Sequence, residues 1–272
     1  ATGFLALKAK MTPFEELISE EELTGGATNE EYNQMQQYYM GTSQSNAIYY
    51  AAKKANVPHR QEFLGVYVME IMSNSTFKNK LKVGDVLVSV NGKKFNSSQE
   101  LIKYVSSLKK SKVRIEVIRG KKHLTFSGET VKLSGTNRYG IGIQLVDHTR
   151  VVTKPAVKID AEDIGGPSAG LMFTLECYQL FTGKNLSSKK IAGTGTIDDQ
   201  GKVGMIGGVD KKVIAASRQG MKVFFAPTDQ PAGVKKSETN YAEAVKTAKK
   251  IHTKMKIVPV ARFEDALNYL EK

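Results

Sequence analysis

The chain has little cysteine, little proline and no tryptophan: one Cys, seven Pro and no Trp in 272 residues. A single cysteine, Cys177, makes no internal disulfide, so the fold must be held by packing, and the redox compartment is left open. Seven prolines beside 24 glycines exclude collagen-like and proline-rich linker chains. No run approaches about 18 consecutive apolar residues, and the long uncharged stretch 32–52 is full of Gln, Asn, Ser and Tyr, so none of it spans a bilayer. A phosphate-binding Gly-x-x-x-x-Gly-Lys-Ser/Thr loop is missing, so no ATP is expected to be used. His59, His123 and His148 stand in no metal-ligand spacing with cysteine or paired carboxylates, so neither a metal nor another cofactor is expected. The initiator Met is missing too, and the chain opens in Phe4-Leu5-Ala6-Leu7, so an anchor or signal is expected to have been trimmed away.

What is present is globular. With 40% apolar and 25% charged residues, a chain of this length is expected to hold about two domains. Forty Lys+Arg stand against 27 Asp+Glu, a net charge of +13. Much of the excess lies between Thr76 and Thr125, with thirteen Lys/Arg against Asp85, Glu100 and Glu116, whereas Pro13 to Glu31 holds seven glutamates and no base. A change of sign along the chain argues against a uniform polyanion-binding surface. The basic stretch interleaves only Phe77, Phe95 and Tyr104, too few aromatics for a nucleic-acid platform, and reads as a solvated lysine-rich face.

Along the chain, Ala1 to Met11 reads as a strand and Thr12-Pro13 as a helix start. Residues 29–56 show helical spacing through Tyr32, Met35, Tyr39, Ala47, Ile48, Ala51 and Ala55, with a break expected near Gly41. Residues 63–129 form a compact unit of a strand, a segment ending in the turn dipeptide Asn91-Gly92, a helix from Ser98 to Leu108 and two alternating strands around Gly120. From Asp163 helices and strands alternate, which reads as an α/β region.

The order of elements in 63–129, with Leu81-Lys82-Val83-Gly84-Asp85-Val86-Leu87, closely resembles a bacterial-type PDZ domain. On that resemblance Phe63, Leu64, Gly65 and Val66 are the carboxylate-binding loop, where a glycine lets backbone N–H groups converge on a peptide terminus. The alternative is a small β-domain that uses the same turn chemistry and binds nothing.

Gly165-Gly166-Pro167-Ser168-Ala169-Gly170 puts a serine at the start of an apolar helix. Unpaired N–H groups and the positive end of the helix dipole there can stabilise an oxyanion, although Ser168 could equally cap the helix. A second glycine turn, Gly207-Gly208-Val209-Asp210-Lys211-Lys212, opens another helix. Its lysines are solvated surface residues or, if one is desolvated, a base.

Together the two segments resemble the serine-lysine dyad of the Lon proteases, in which a Pro-Ser-Ala-Gly helix start carries the nucleophile and a Gly-Gly-x-x-x-Lys helix start the base. The resemblance implies Ser168 as nucleophile and Lys212, four positions after Gly208, as general base. It also implies Thr194 as a supporting residue touching the lysine, with Gly166, Pro167 and Ala169 shaping the turn. A lysine works as a base only when neutral, so Lys212 is expected in a dry pocket. ATP-driven members carry an acid at the place of Gly165, so here backbone N–H groups alone are expected to hold the oxyanion.

The combination resembles the PDZ-containing, Lon-like serine peptidases of Gram-positive bacteria. It implies an α+β fold, a Lon-type (ribosomal S5 domain 2-like) proteolytic domain made of residues 1–60 and 131–272, with a PDZ domain at 61–130. It implies an ATP-independent endopeptidase acting on protein or peptide substrates. It also implies membrane association through an N-terminal anchor, action outside the cytoplasmic membrane, and homo-oligomers as a further partnership. Two other readings stay open: an α/β-hydrolase-type esterase, since Gly166-Pro167-Ser168-Ala169-Gly170 also fits Gly-x-Ser-x-Gly with His252 as the available base, and a non-catalytic PDZ scaffold that binds peptides or anionic polymers.

Overall fold

Capping explains the first elements. In this computed structural model, which describes residues 17–161, 166–186 and 190–272, Ser19 caps α1 (Glu20–Thr24) by accepting the Glu22 N–H. Thr28 and Glu31 form a reciprocal capping box at the start of α2 (Asn29–Lys54). The strand read at Ala1–Met11 and the helix start at Thr12-Pro13 lie outside the described residues. The break expected at Gly41 is absent, and α2 runs on for 26 residues. An interior glycine costs about 1 kcal/mol in propensity, which the burial of Ala47, Ile48, Ala51 and Ala52 on the same helix outweighs.

After α2 the chain enters β1 (His59–Ile71), the long strand of an antiparallel sheet. On one side it pairs with β2 (Val86–Val90), which is followed by β3 (Lys93–Lys94), α3 (Ser98–Ser107), β4 (Lys112–Arg119) and β5 (Lys122–Glu129). A two-stranded ribbon of β6 (Val131–Lys132) and β7 (Tyr139–Gly140) comes next, and on its other side β1 pairs with β8 (Ile143–Thr153), from His59 opposite Thr153 to Ile71 opposite Ile143. The strand order is β5-β4-β2-β1-β8, with β3 added to β2. The sheet thus draws in residues beyond the expected boundary at 130, because β1 is long enough to pair an edge strand that sequence order assigns to the next unit. Leu101 and Val105 of α3 cover one face, packing with Val66, Val68, Leu87, Val113, Ile115 and Val117. Tyr67 points to the other face, where its hydroxyl donates to the Gln34 carbonyl of α2 at 2.9 Å and its ring lies 4.6 Å from Tyr38. Asp85 of the Gly84-Asp85 signature holds the fold together here. Fully buried, it accepts the Lys82 N–H and both arms of the Arg119 guanidinium.

A second, parallel sheet follows, ordered β13-β12-β9, from β9 (Ile191–Gly193), β12 (Val223–Pro227) and β13 (Lys256–Val260). Every residue of β12 is buried, as a strand covered on both faces requires. Phe225 packs against α2, α4 (Gly170–Thr182) and α7 (Phe263–Leu270), and Phe224 and Ala226 against α5 (Val209–Arg218) and α6 (Asn240–Lys250). A short hairpin, β10 (Thr196–Ile197) with β11 (Val203–Gly204), flanks them. An antiparallel sheet and a separate helix-covered parallel sheet make the fold α+β. No described helix is long and apolar enough to cross a membrane.

Cys177 is 1% exposed within the α2–α4–α7 core, and burial pushes its thiol up to about 11. A raised value means less thiolate, so alkylation by iodoacetamide at pH 8 should run about 100-fold below that of a free cysteine while the protein is folded. Mass spectrometry before and after denaturation checks this.

Candidate active site

The turn ahead of α4 is built from residues 166–169. Gly166 has φ +77°, and a Cβ there would lie 2.9 Å from Gln36 Oε1. The N-cap of α4 is Ala169, with no side-chain cap. Ser168 therefore does not spend its hydroxyl on capping. Instead Lys212 Nζ donates to Ser168 Oγ at 3.2 Å, across 44 residues of sequence.

The two groups arrive from opposite faces of the parallel sheet. Ser168 precedes α4, on the Phe225 side, and Lys212 belongs to α5, on the Phe224 side. Gly208, in the left-handed region at φ 65°, turns the chain into α5. Between them passes 194–195, just beyond β9: Thr194 N–H donates to Phe225 O at 3.1 Å, Gly195 N–H to Ser168 O at 2.9 Å, and Leu171 N–H to Gly195 O at 3.1 Å. The turn that carries Ser168 is thus tied to the central strand by backbone.

Three expectations need correction. Lys212 is exposed rather than set in a dry pocket. The buried residues of α5 are Val209, Val213, Ile214 and Ala216, and Lys212 lies at the margin of that face, where a long side chain carries its amine out to solvent. The Thr194 hydroxyl, 1% exposed, donates to the Ser168 carbonyl at 3.0 Å rather than meeting the lysine. Buried just past β9 and beside Ser168, it anchors the backbone there.

The third correction concerns Phe63, Leu64, Gly65 and Val66. These residues lie within β1, paired with β8 on one side, and Val66 pairs with Leu87 of β2 on the other. With one edge paired to β8 and the other to β2 at Val66 and Tyr67, this strand has no free edge there for a peptide strand. Gly65 is needed at a bulge for close approach: its φ is +142°, and a Cβ would sit 2.7 Å from Leu87 O.

The open groove lies elsewhere. A cavity of about 150 Å³ sits between α3, through Leu101, Ile102 and Val105, and the segment 139–143 that leads into the edge strand β8. There the carbonyls of Tyr139, Ile141 and Gly142 accept from Ser106 Oγ (3.2 Å), Ser75 Oγ (2.6 Å) and Met72 N–H (2.9 Å). Since a trans peptide sets N–H opposite C=O, the N–H groups of Gly142 and Ile143 are aimed away from the Ser75 and Met72 anchors. The signal available in sequence was Tyr139-Gly140-Ile141-Gly142, two glycines among apolar residues just before an alternating strand.

His252 is exposed at the end of α6 with φ 52°. Among the described residues the partner of the Ser168 hydroxyl is Lys212, not His252. Gly165 lies outside the described residues.

Two family models match this chain: the PDZ domain over residues 35–130, and the Lon protease (S16) C-terminal proteolytic domain over residues 135–270. Among curated relatives, a Lon protease of Campylobacter jejuni is 27% identical over 236 residues, 79% of this chain and 26% of that protein. Lon proteases of Metamycoplasma arthritidis and Desulfosudis oleivorans are 35% and 39% identical over 39% and 38% of this chain, and 11% and 12% of theirs. The chain therefore matches only about a quarter or less of the length of these relatives. Among solved structures, the PDZ domain of the SdrC-like protein from Listeria monocytogenes is 34% identical, covers 30% of this chain and 87% of that one, and has a TM-score of 0.29. With half of its residues inside the second family match and a PDZ domain ahead of it, the chain belongs to the Lon protease (S16) C-terminal proteolytic domain family.

Proposed function

We propose that this protein is an ATP-independent serine endopeptidase that hydrolyses protein substrates with a Ser168–Lys212 dyad and recognises peptide chains through its PDZ domain. The observation that carries the reading is the 3.2 Å contact between Ser168 Oγ and Lys212 Nζ. In the resting state the amine donates. For chemistry the neutral amine takes the Ser168 proton, the oxygen attacks a peptide carbonyl, and the amine protonates the departing nitrogen. The same amine then activates water against the acyl-enzyme. Because Lys212 is exposed, water is excluded from the dyad only when a substrate covers it. Incubating wild type and Ser168→Ala with an unfolded protein, without nucleotide, tests the reading. Cuts mapped with wild type alone are the expected result, and cuts that persist in Ser168→Ala overturn it.

The PDZ groove is assigned to α3, 139–143 and the free edge of β8, where an extended peptide can add as a strand with its terminal carboxylate at the turned-out N–H groups. Ile102 is 38% exposed there. Ile102→Asp should weaken binding of a C-terminal peptide about tenfold by setting a carboxylate against a carboxylate, with the melting midpoint unchanged. Fluorescence anisotropy with a labelled peptide measures it.

A further inference from the structure

Both peptide groups that flank the Ser168 Cα are held through their carbonyls. The Ser168 carbonyl accepts from Gly195 N–H and Thr194 Oγ1. The Pro167 carbonyl accepts the turn's own bond from Gly170 N–H at 3.2 Å and, in addition, a bond from Ser43 Oγ at 3.1 Å. Ser43 comes from α2, 124 residues away along the chain, and is 3% exposed. A hydroxyl placed in that core is costly unless it is bonded, and the Pro167 carbonyl is the partner it has.

The fit between helix and turn leaves no slack. A Cβ on Gly170 would lie 2.9 Å from Ser43 Oγ, and one on Gly166 would lie 2.9 Å from Gln36 Oε1. Gln36 and Ser43 are seven residues apart, on one face of the helix. Asn46, one turn further on, donates to the Ile197 carbonyl at 3.0 Å.

We propose that Ser43 is a positioning residue for peptide hydrolysis: by holding the Pro167 carbonyl against α2, it turns the Ser168 N–H to the opposite side, toward the oxyanion of the tetrahedral intermediate. A planar trans peptide gives the N–H no choice once its carbonyl is fixed. A donor aimed in advance is worth more in the transition state than in the ground state. The turn bond from Gly170 keeps the fold when Ser43 is lost but lets the peptide plane roll. The proposal rests on the Ser168–Lys212 reading.

The test compares wild type, Ser43→Ala and Ser43→Cys on one peptide substrate. It measures kcat per titrated active site, KM, and the affinity of a peptide boronic acid that forms a tetrahedral adduct on serine. In Ser43→Ala, kcat per site should fall about tenfold, the weight of one neutral hydrogen bond, and boronate affinity by about the same factor, with KM within about twofold. Ser43→Cys, of similar size with a weaker donor, should fall between and carries the comparison if the alanine variant does not fold. A wild-type kcat per titrated site, or a loss confined to the fraction of active sites, overturns the proposal. Ser168→Ala, assayed alongside, separates the two failures. Cleavage surviving there overturns the dyad reading and this one with it, whereas cleavage lost there but intact in the Ser43 variants overturns only the role of Ser43.

Discussion

Lys212→Ala should lower kcat for peptide cleavage by at least about 10³-fold, the scale on which activated nucleophiles depend on their base. Its stability should stay within about 0.5 kcal/mol of wild type, as for most substitutions on a surface. The separation follows from exposure: Lys212 contributes little packing, while its amine is the group bonded to Ser168 Oγ. Lys212→Arg sharpens the test. Guanidinium keeps the positive charge and the reach but does not give up its proton in a protein. An inactive arginine variant identifies proton transfer as the role of the side chain. An active one shows that the residue works as a fixed cation, and the mechanism must change. Steady-state kinetics beside a chemical-denaturation curve provide both readings.

Phe263→Ala should cost about 3–5 kcal/mol, the usual range for a buried aromatic cut back to alanine. Phe263 is fully buried and meets Tyr50 of α2 edge-on at 5.6 Å and Tyr178 of α4 at 5.7 Å. Its N–H also donates to the Gly201 carbonyl at 2.9 Å. Three helices converge on this ring, so the loss opens a cavity that none of them can close alone. The denaturation midpoint should drop with an unchanged slope, and activity should vanish at temperatures wild type survives. A shift below about 1 kcal/mol would mean that the α2–α4–α7 core does not set the stability of the proteolytic half.

How much of this was readable in advance depends on how local each feature is. The Ser168 and Lys212 turns could be read because each is a few small residues at a helix start, and the helices and strands of 168–271 because their periodicities are regular. The exposure of Lys212 was not legible: Val213 and Ile214 are its neighbours in sequence, but the buried stripe of α5 passes to one side of it. The groove proposed here differs from the sequence expectation for a topological reason. Phe63-Leu64-Gly65-Val66 and Tyr139-Gly140-Ile141-Gly142 are both glycine among apolar residues, and which of them stays open depends on β8 taking the free edge of β1. Gly41 failed as a helix breaker because packing along 47–52 decides that helix. Ser43 carried no local signal at all, since its partner lies on another element.

The position of α2 has a temporal consequence. This helix is translated before the PDZ domain, yet its second half fits between α4 and α7, which follow that domain. On the ribosome its buried face therefore stays uncovered until the chain beyond the PDZ domain has been made, so this helix is synthesised early and packed late.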